Sequence, residues 1–171
     1  MISKEQIAII SEQLGRTPIG ALEVVTLDRD KQPAVLKVDP LADGKPFPSM
    51  YWLTSPLLHK AISHIESTAW IKEFENITLP QNEEYKNRLK ADNENYRKLR
   101  WDLFQTLHRS EEVSPAFVKV IKESGIGGIQ SFDRVRCLHM HYAYHLVHGG
   151  LVGELLDKQF NLGELVYTND N

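Results

Sequence analysis

The side chains best suited to chemistry are concentrated near the C-terminal end of the chain. The only cysteine is Cys137, and four of the seven histidines follow it closely: His139, His141, His145 and His148. Thiolates and imidazoles are common zinc ligands, and they also serve as nucleophiles and acid–base groups. This stretch is therefore the first candidate for a functional site.

A helix of about five turns is predicted here, from about Ser131 to His148, at 3.6 residues per turn. Ser131 is a favourable N-cap, Asp133 suits the positive end of the helix dipole, and Gly149-Gly150 would end the helix. An apolar stripe that should face the core consists of Val135, Leu138, Tyr142 and Leu146. A second side of the helix carries Arg134, Cys137, His141, His145 and His148.

Two interpretations of the histidines remain open. Because His141 and His145 are one turn apart, they could bind a divalent metal such as zinc, together with Cys137 or His148. The alternative is a polar helix surface with neutral rings, since such pairs also arise by chance and no His-Glu-x-x-His motif is present. His139 lies at the edge of the apolar stripe, where it is either a core residue bonded to a backbone carbonyl or an acid–base group.

A glycine-rich turn precedes the predicted helix. Gly125, Gly127 and Gly128 lie upstream of Arg134 and Arg136, an arrangement that resembles an anion cradle at a helix start. It is not a P-loop, because no Gly-Lys-Ser/Thr ending follows. The alternative is a plain loop whose glycines only permit left-handed turns.

The composition is that of an ordinary globular protein. Hydrophobic residues make up 42% of the 171 residues, charged residues make up 25%, and the net charge is −3. The acidic balance argues against nucleic-acid binding, and no stretch is apolar enough for a signal sequence or a membrane span. With a single cysteine, the expected location is the reducing cytoplasm.

The pattern of elements predicts one α+β domain over residues 1–171. Residues 1–54 should form a helix and a small antiparallel sheet of about three strands, at 21–27, 34–38 and 50–54. Residues 55–160 should be mainly helical, beginning at Ser55-Pro56, an N-cap followed by proline at the first helical position. The longest predicted helix, about 82–108, is mostly charged and has one narrow apolar seam. That seam could pack on a neighbouring helix, form a homodimer or dock a protein partner.

Three segments resemble the bacterial domain-of-unknown-function family 501. They are Arg16-Thr17-Pro18-x-Gly20, the run from Pro46 to Pro56, and Gly125-Ile-Gly-Gly128 leading to Arg134-Val-Arg-Cys-Leu-His139. The resemblance extends from about Arg16 to about Gly150, and it implies a pattern without an assigned reaction.

The resemblance stresses Arg16, Thr54, Arg134, Arg136 and the Cys137–His139 run over the outer histidines. The family often has cysteine where this chain has Ser55 and lysine where it has Arg136. A two-cysteine metal or redox site is therefore not expected here.

The leading hypothesis is a polar pocket that binds a small anionic or phosphorylated ligand. Its ligand-binding residues would be Arg16, Thr17, Thr54, Ser55, Gly127, Gly128, Arg134 and Arg136. If the protein is an enzyme that hydrolyses or transfers from such a ligand, Cys137 would be the nucleophile or His139 the acid–base group.

Overall fold

The chain begins with a helix that local sequence signals define at both ends. The computed structural model describes residues 2–168, and α1 spans Lys4–Leu14. Ser3 accepts a hydrogen bond from the backbone N–H of Gln6, whose side chain accepts from the Ser3 N–H, which is a capping box. Gly15 ends the helix at φ 66°, a left-handed conformation that glycine adopts without strain.

A small antiparallel sheet follows, as predicted. Its strands are β1 (Ala21–Leu27), β2 (Pro33–Val38) and β5 (Tyr51–Leu53), in the order β1–β2–β5, while β3 (Leu41–Ala42) and β4 (Lys45–Pro46) form a separate short hairpin. The central strand is covered on both sides, since Leu36 and Val38 pack with Ile10 of α1 while Val35 belongs to the main core. The α+β class is therefore confirmed.

The remainder of the chain is helical. The helices are α2 (Pro56–Glu66), α3 (Trp70–Glu73), α4 (Glu83–Leu107), α5 (Pro115–Glu123), α6 (Leu138–His148) and α7 (Leu151–Phe160). A π-helical turn, Phe74–Thr78, continues α3, and a 3₁₀ turn, Leu162–Leu165, follows α7. Ser55 caps α2 and Pro56 occupies its first turn, as predicted. Helix α6 is central, because it packs against α7, β5 and α2.

The predicted helix over 131–148 is wrong in its first seven residues. Helix α6 starts at Leu138, and Cys137 is extended at φ −151°. The Ser131 hydroxyl donates to Asp133 instead of capping a helix. Carboxylates of two earlier elements accept the backbone N–H groups of Val135 and Leu138. These tertiary hydrogen bonds accompany a non-helical segment with a turn at 132–133, which the local helix signals did not indicate.

The apolar seam of α4 packs within the chain. Leu89, Tyr96 and Phe104 are buried, and Leu99 and Leu103 lie against the same core. A homodimer through this helix stays a prediction. Within residues 2–168, no helix combines the length and the apolar character needed to cross a membrane.

Candidate functional site

A cavity of about 330 Å³ lies between the end of α1, the β5 strand, α2 and the start of α6. Its apolar lining consists of Leu14, Phe47, Tyr51, Trp52, Leu53 and Met140. Its polar lining consists of Arg16, His59, Cys137 and His139. The cavity therefore combines a large apolar surface with a guanidinium, two imidazoles and a thiol.

Arg16 is positioned by the end of α1 and by an aromatic ring. Gly15 reverses the backbone, so that Arg16 reaches over the indole of Trp52, with its guanidinium carbon 5.1 Å from the ring centroid. Stacking of this kind holds the planar guanidinium while its N–H groups stay free to bind an anion. Phe47 lies against the same indole, with the ring centroids 5.1 Å apart.

Cys137, His139 and Glu66 form a compact cluster beside the cavity. The Cys137 Sγ lies 3.7 Å from His139 Nδ1, and the same nitrogen lies 3.1 Å from Glu66 Oε2. His139 Nε2 lies 3.1 Å from Ser63 Oγ and 3.3 Å from the His59 carbonyl oxygen. The His59 and His139 rings are 4.4 Å apart between centroids. Helix α2 thus supplies one wall of the cluster, and Cys137 with the first turn of α6 supplies the other.

Burial sets the protonation states in this cluster. It raises the pKa of the Cys137 thiol, and the nearby Glu66 carboxylate raises it further, against hydrogen bonds from the Met140 and His139 backbone. Burial also lowers the pKa of His59, and His139 lowers it further. At neutral pH Cys137 is therefore a thiol and His59 a neutral imidazole. The cluster as it stands does not supply an activated thiolate nucleophile.

Several residues of the predicted anion site lie away from the cavity. Thr54 and Ser55 are buried, where the Thr54 hydroxyl donates to the Pro33 carbonyl and the Ser55 hydroxyl donates to Asp28. Thr17 is exposed, in the connection that follows Arg16. Thr54 and Ser55 therefore connect β2, β5 and α2, in addition to the cap that Ser55 provides.

The glycine turn and its arginines are also separate from the cavity lining. Gly127 and Gly128 have φ of 73° and 76°, in a turn that is followed by an irregular segment and not by a helix start. Arg134 pairs at the surface with Glu75, at 3.0 Å, and Arg136 is exposed. The helix-start part of the predicted cradle is thus wrong, because nine residues separate Gly128 from the first residue of α6.

The outer histidines point in different directions. His141 is buried, and its Nε2 has no hydrogen-bond partner among the described residues. His145 contacts Asp157, with Nε2 3.0 Å from Oδ2, and His148 lies 2.8 Å from the Tyr51 hydroxyl. The prediction of one polar face with Cys137 and the histidines is wrong, since Cys137 precedes the helix and His141 faces the core.

Three important residues of the site were missed from the sequence. Trp52 lies within the Pro46–Pro56 run that carried the family resemblance, so that run could have indicated it as a site residue. His59 is a single histidine within α2, and its distance along the chain from Cys137 gave no signal. Glu66, the last residue of α2, had no local signal, because its position near Cys137 depends on how α2 packs against α6.

The fold and site together define a small α+β protein with an arginine–tryptophan cavity bordered by a Glu–Cys–His cluster. The chain belongs to the family described as Protein of unknown function (DUF501), which matches residues 24–158. The match includes Trp52, Glu66, Cys137 and His139, and it begins after Arg16. No curated protein and no solved structure matches the chain.

Proposed function

We propose that this protein binds a small anionic ligand with a flat apolar group in the Arg16–Trp52 cavity. The observation that carries the proposal is the Arg16 guanidinium, stacked on Trp52 at an apolar cavity that also exposes His59 and His139. A volume of about 330 Å³ lies at the small end of the roughly 300–1,000 Å³ typical of ligand pockets. A single ring with one carboxylate or phosphate is a ligand of this size.

Each part of the cavity has a role in this proposal. The Arg16 fork donates paired hydrogen bonds to the anionic group, which are stronger than those between neutral groups. Trp52 and Phe47 contact the flat apolar part, and Met140 adapts to its shape. Neutral His59 donates or accepts one further hydrogen bond.

We favour ligand binding over a covalent reaction in which Cys137 is the nucleophile. Its raised pKa keeps the sulfur protonated at neutral pH, whereas a nucleophilic cysteine needs a lowered pKa. If the bound ligand is hydrolysed or transferred, His139 is the better placed group for proton transfer, since it borders the cavity and contacts Glu66. In a reducing cytoplasm, the expected location, Cys137 remains a free thiol.

The test is calorimetric titration with phenyl phosphate, phenol and inorganic phosphate, in the presence of a chelator. We expect phenyl phosphate to bind more tightly than either fragment, because only it fills both the apolar and the cationic part of the cavity. Arg16→Ala should weaken phenyl phosphate binding about tenfold, which corresponds to about 1.4 kcal/mol for one lost charged contact.

The matched control is Arg109→Ala, which removes an exposed arginine far along the chain. It should leave the affinity unchanged and so exclude a general effect of net charge. Equal affinities of the wild type and folded Arg16→Ala for phenyl phosphate would refute the proposal.

A further inference from the structure

Three donor atoms of the kinds that zinc accepts as ligands converge beside the cavity. Glu66 comes from the end of α2, Cys137 directly precedes α6, and His139 lies in its first turn. One ligand atom from each of the three lies within 4.8 Å of the other two. Within residues 2–168, no other group of three His, Cys, Asp or Glu residues meets this condition.

The spacing fits a tetrahedral metal site. Zinc binds sulfur at about 2.3 Å and nitrogen or carboxylate oxygen at about 2.0–2.2 Å, so neighbouring donor atoms around it lie about 3.3–3.6 Å apart. The observed separations are 3.7 Å from Cys137 Sγ to His139 Nδ1 and 3.1 Å from that nitrogen to Glu66 Oε2. A metal would enter with side-chain shifts of only a few tenths of an ångström for these two pairs.

The hydrogen bonds around the cluster are those of a metal site. A ligating histidine commonly donates its other ring N–H to a carbonyl or a carboxylate, and here His139 Nε2 points to the His59 carbonyl oxygen and to Ser63 Oγ. A ligating carboxylate is also held by a hydrogen bond, and Glu66 Oε1 accepts the Leu138 N–H. Both ligands are therefore oriented by groups outside the cluster.

The His59 carbonyl can only accept a hydrogen bond, so the contact with it requires a proton on His139 Nε2. In a neutral ring, Nδ1 then directs its lone pair towards Cys137 Sγ and Glu66 Oε2, which is the position that a bound cation would share. The alternative is a metal-free cluster in which the Cys137 thiol donates its proton to His139 Nδ1 or to Glu66. This alternative is what the experiment must separate from a metal site.

We propose that Glu66, Cys137 and His139 bind one zinc-class divalent cation at the edge of the Arg16–Trp52 cavity. A thiolate together with an imidazole favours zinc or cobalt over magnesium or calcium, which prefer all-oxygen sites. Binding removes the Cys137 thiol proton, which passes to solvent as the sulfur–metal bond forms. Three protein ligands leave a fourth position for water or a ligand anion, as in catalytic zinc sites.

This site does not depend on the anion-binding proposal, since none of its ligands is Arg16 or Trp52. It also differs from the sequence prediction, which placed the metal on His141 and His145. A cation at the new site would add a Lewis-acid contact for an anion in the cavity, because Cys137 and His139 line it.

The test is titration of the reduced, full-length chain with Co²⁺, followed by displacement with Zn²⁺. We expect one equivalent of Co²⁺ to give the intense visible bands of tetrahedral cobalt and a thiolate charge-transfer band in the near ultraviolet. Cys137→Ser should abolish the charge-transfer band. Cys137→Ser, His139→Ala and Glu66→Gln should each weaken Co²⁺ binding by about a hundredfold or more, beyond the 10–100-fold typical of lost outer hydrogen bonds.

Ser63→Ala tests the outer hydrogen bond, and it should weaken Co²⁺ binding about tenfold while the spectrum keeps its tetrahedral form. His64→Ala is the matched control, since it removes an exposed histidine from the same helix. It should bind Co²⁺ as the wild type does. Arg16→Ala should also keep the cobalt spectrum, so that failure of the anion proposal and failure of the metal proposal are distinguishable.

A measurement on the unmodified chain covers the case in which a variant does not fold. Zn²⁺ should slow the alkylation of Cys137 by iodoacetamide, and a chelator should restore the rate. The proposal is overturned if Zn²⁺ gives no protection, or if Co²⁺ binds without a thiolate band. It is also overturned if His145→Ala removes the metal while Cys137→Ser retains it, because the metal would then lie on the outer histidines.

Discussion

Arg100 is a fully buried charge whose removal should destabilise the whole fold. Its guanidinium donates to the carbonyl oxygens of Ile121 at 2.7 Å, Pro48 at 2.8 Å and Ser124. Burial lowers its pKa to about 10, so the group remains charged at neutral pH. These bonds connect α4 to the end of α5 and to the segment that leads into β5. The perturbation we propose is Arg100→Met, which keeps an unbranched apolar stem in the same place, is two heavy atoms shorter, and removes the donors.

The expected loss follows from the carbonyl groups left behind. The Pro48 carbonyl keeps a hydrogen bond from the Tyr96 hydroxyl, at 3.3 Å. The loss of hydrogen bonding therefore falls mainly on the carbonyls of Ile121 and Ser124. An unsatisfied buried acceptor is unfavourable by about 1–3 kcal/mol, which gives about 2–6 kcal/mol for two. Removal of the guanidinium also removes the desolvation penalty of a buried charge, which offsets part of this destabilisation. We therefore expect a net destabilisation of about 3 kcal/mol.

The assay is urea denaturation followed by far-ultraviolet circular dichroism. The control is Lys98→Met, an exposed residue of the same helix, for which we expect a change within about 0.5 kcal/mol. The free energy of unfolding of Arg100→Lys should lie between those of the wild type and Arg100→Met, because an ammonium cannot reproduce the three directed hydrogen bonds of the guanidinium. If Arg100→Met unfolds at the same urea concentration as Lys98→Met, the three carbonyl contacts do not stabilise the fold and the reasoning is wrong.

Two further predictions concern the helices α6 and α7. Burial lowers the pKa of His141 to about 3, and its Nε2 has no hydrogen-bond partner within residues 2–168, so His141→Leu should not destabilise the protein at pH 7. The unfolded chain takes up a proton on His141 near pH 6.5, and the folded chain does not. The free energy of unfolding of the wild type should therefore fall by about 2 kcal/mol more than that of His141→Leu between pH 7 and pH 5. Urea denaturation with a chelator measures both, and equal falls would contradict the prediction. Gly153→Ala should destabilise the protein by more than about 2 kcal/mol in the same assay, because an added Cβ would lie 2.1 Å from His145 Cγ. The control is Gly163→Ala, whose added Cβ would lie 3.7 Å from Asp157. Equal stability of the two variants would refute the close approach at Gly153.

The sequence was informative where local chemistry decides the structure. Ser55-Pro56 marks the start of α2, and Ser3 with Gly15 marks both ends of α1. Strands β1 and β2 follow from their β-branched runs, and the bounds predicted for α4 differ from Glu83–Leu107 by one residue at each end. In each case the residues that specify the element lie within it or next to it, so one sequence is sufficient.

The errors occur where distant carboxylates decide the conformation. Glu75 accepts the Val135 N–H from 60 positions away, and Glu66 accepts the Leu138 N–H from 72 positions away. Between them they keep the residues directly before α6 out of a helix, although Ser131 and Asp133 favour a helix start. The burial of Arg100 and His141 also depends on residues far away in the sequence. Polar side chains are expected at the surface unless a packed neighbour supplies their partners or covers them.

Glu66 links these structural errors to the site itself. One of its carboxylate oxygens accepts the first N–H of α6, and the other lies 3.1 Å from His139. The residue that determines where α6 begins therefore also fixes the position of His139 relative to Cys137. An α6 that began at Ser131 would place Cys137 on a helix face two turns from its start, and the Leu138 N–H would be occupied within the helix. The late start leaves that N–H free for Glu66, so the same feature that defeats the local prediction assembles the Glu–Cys–His cluster.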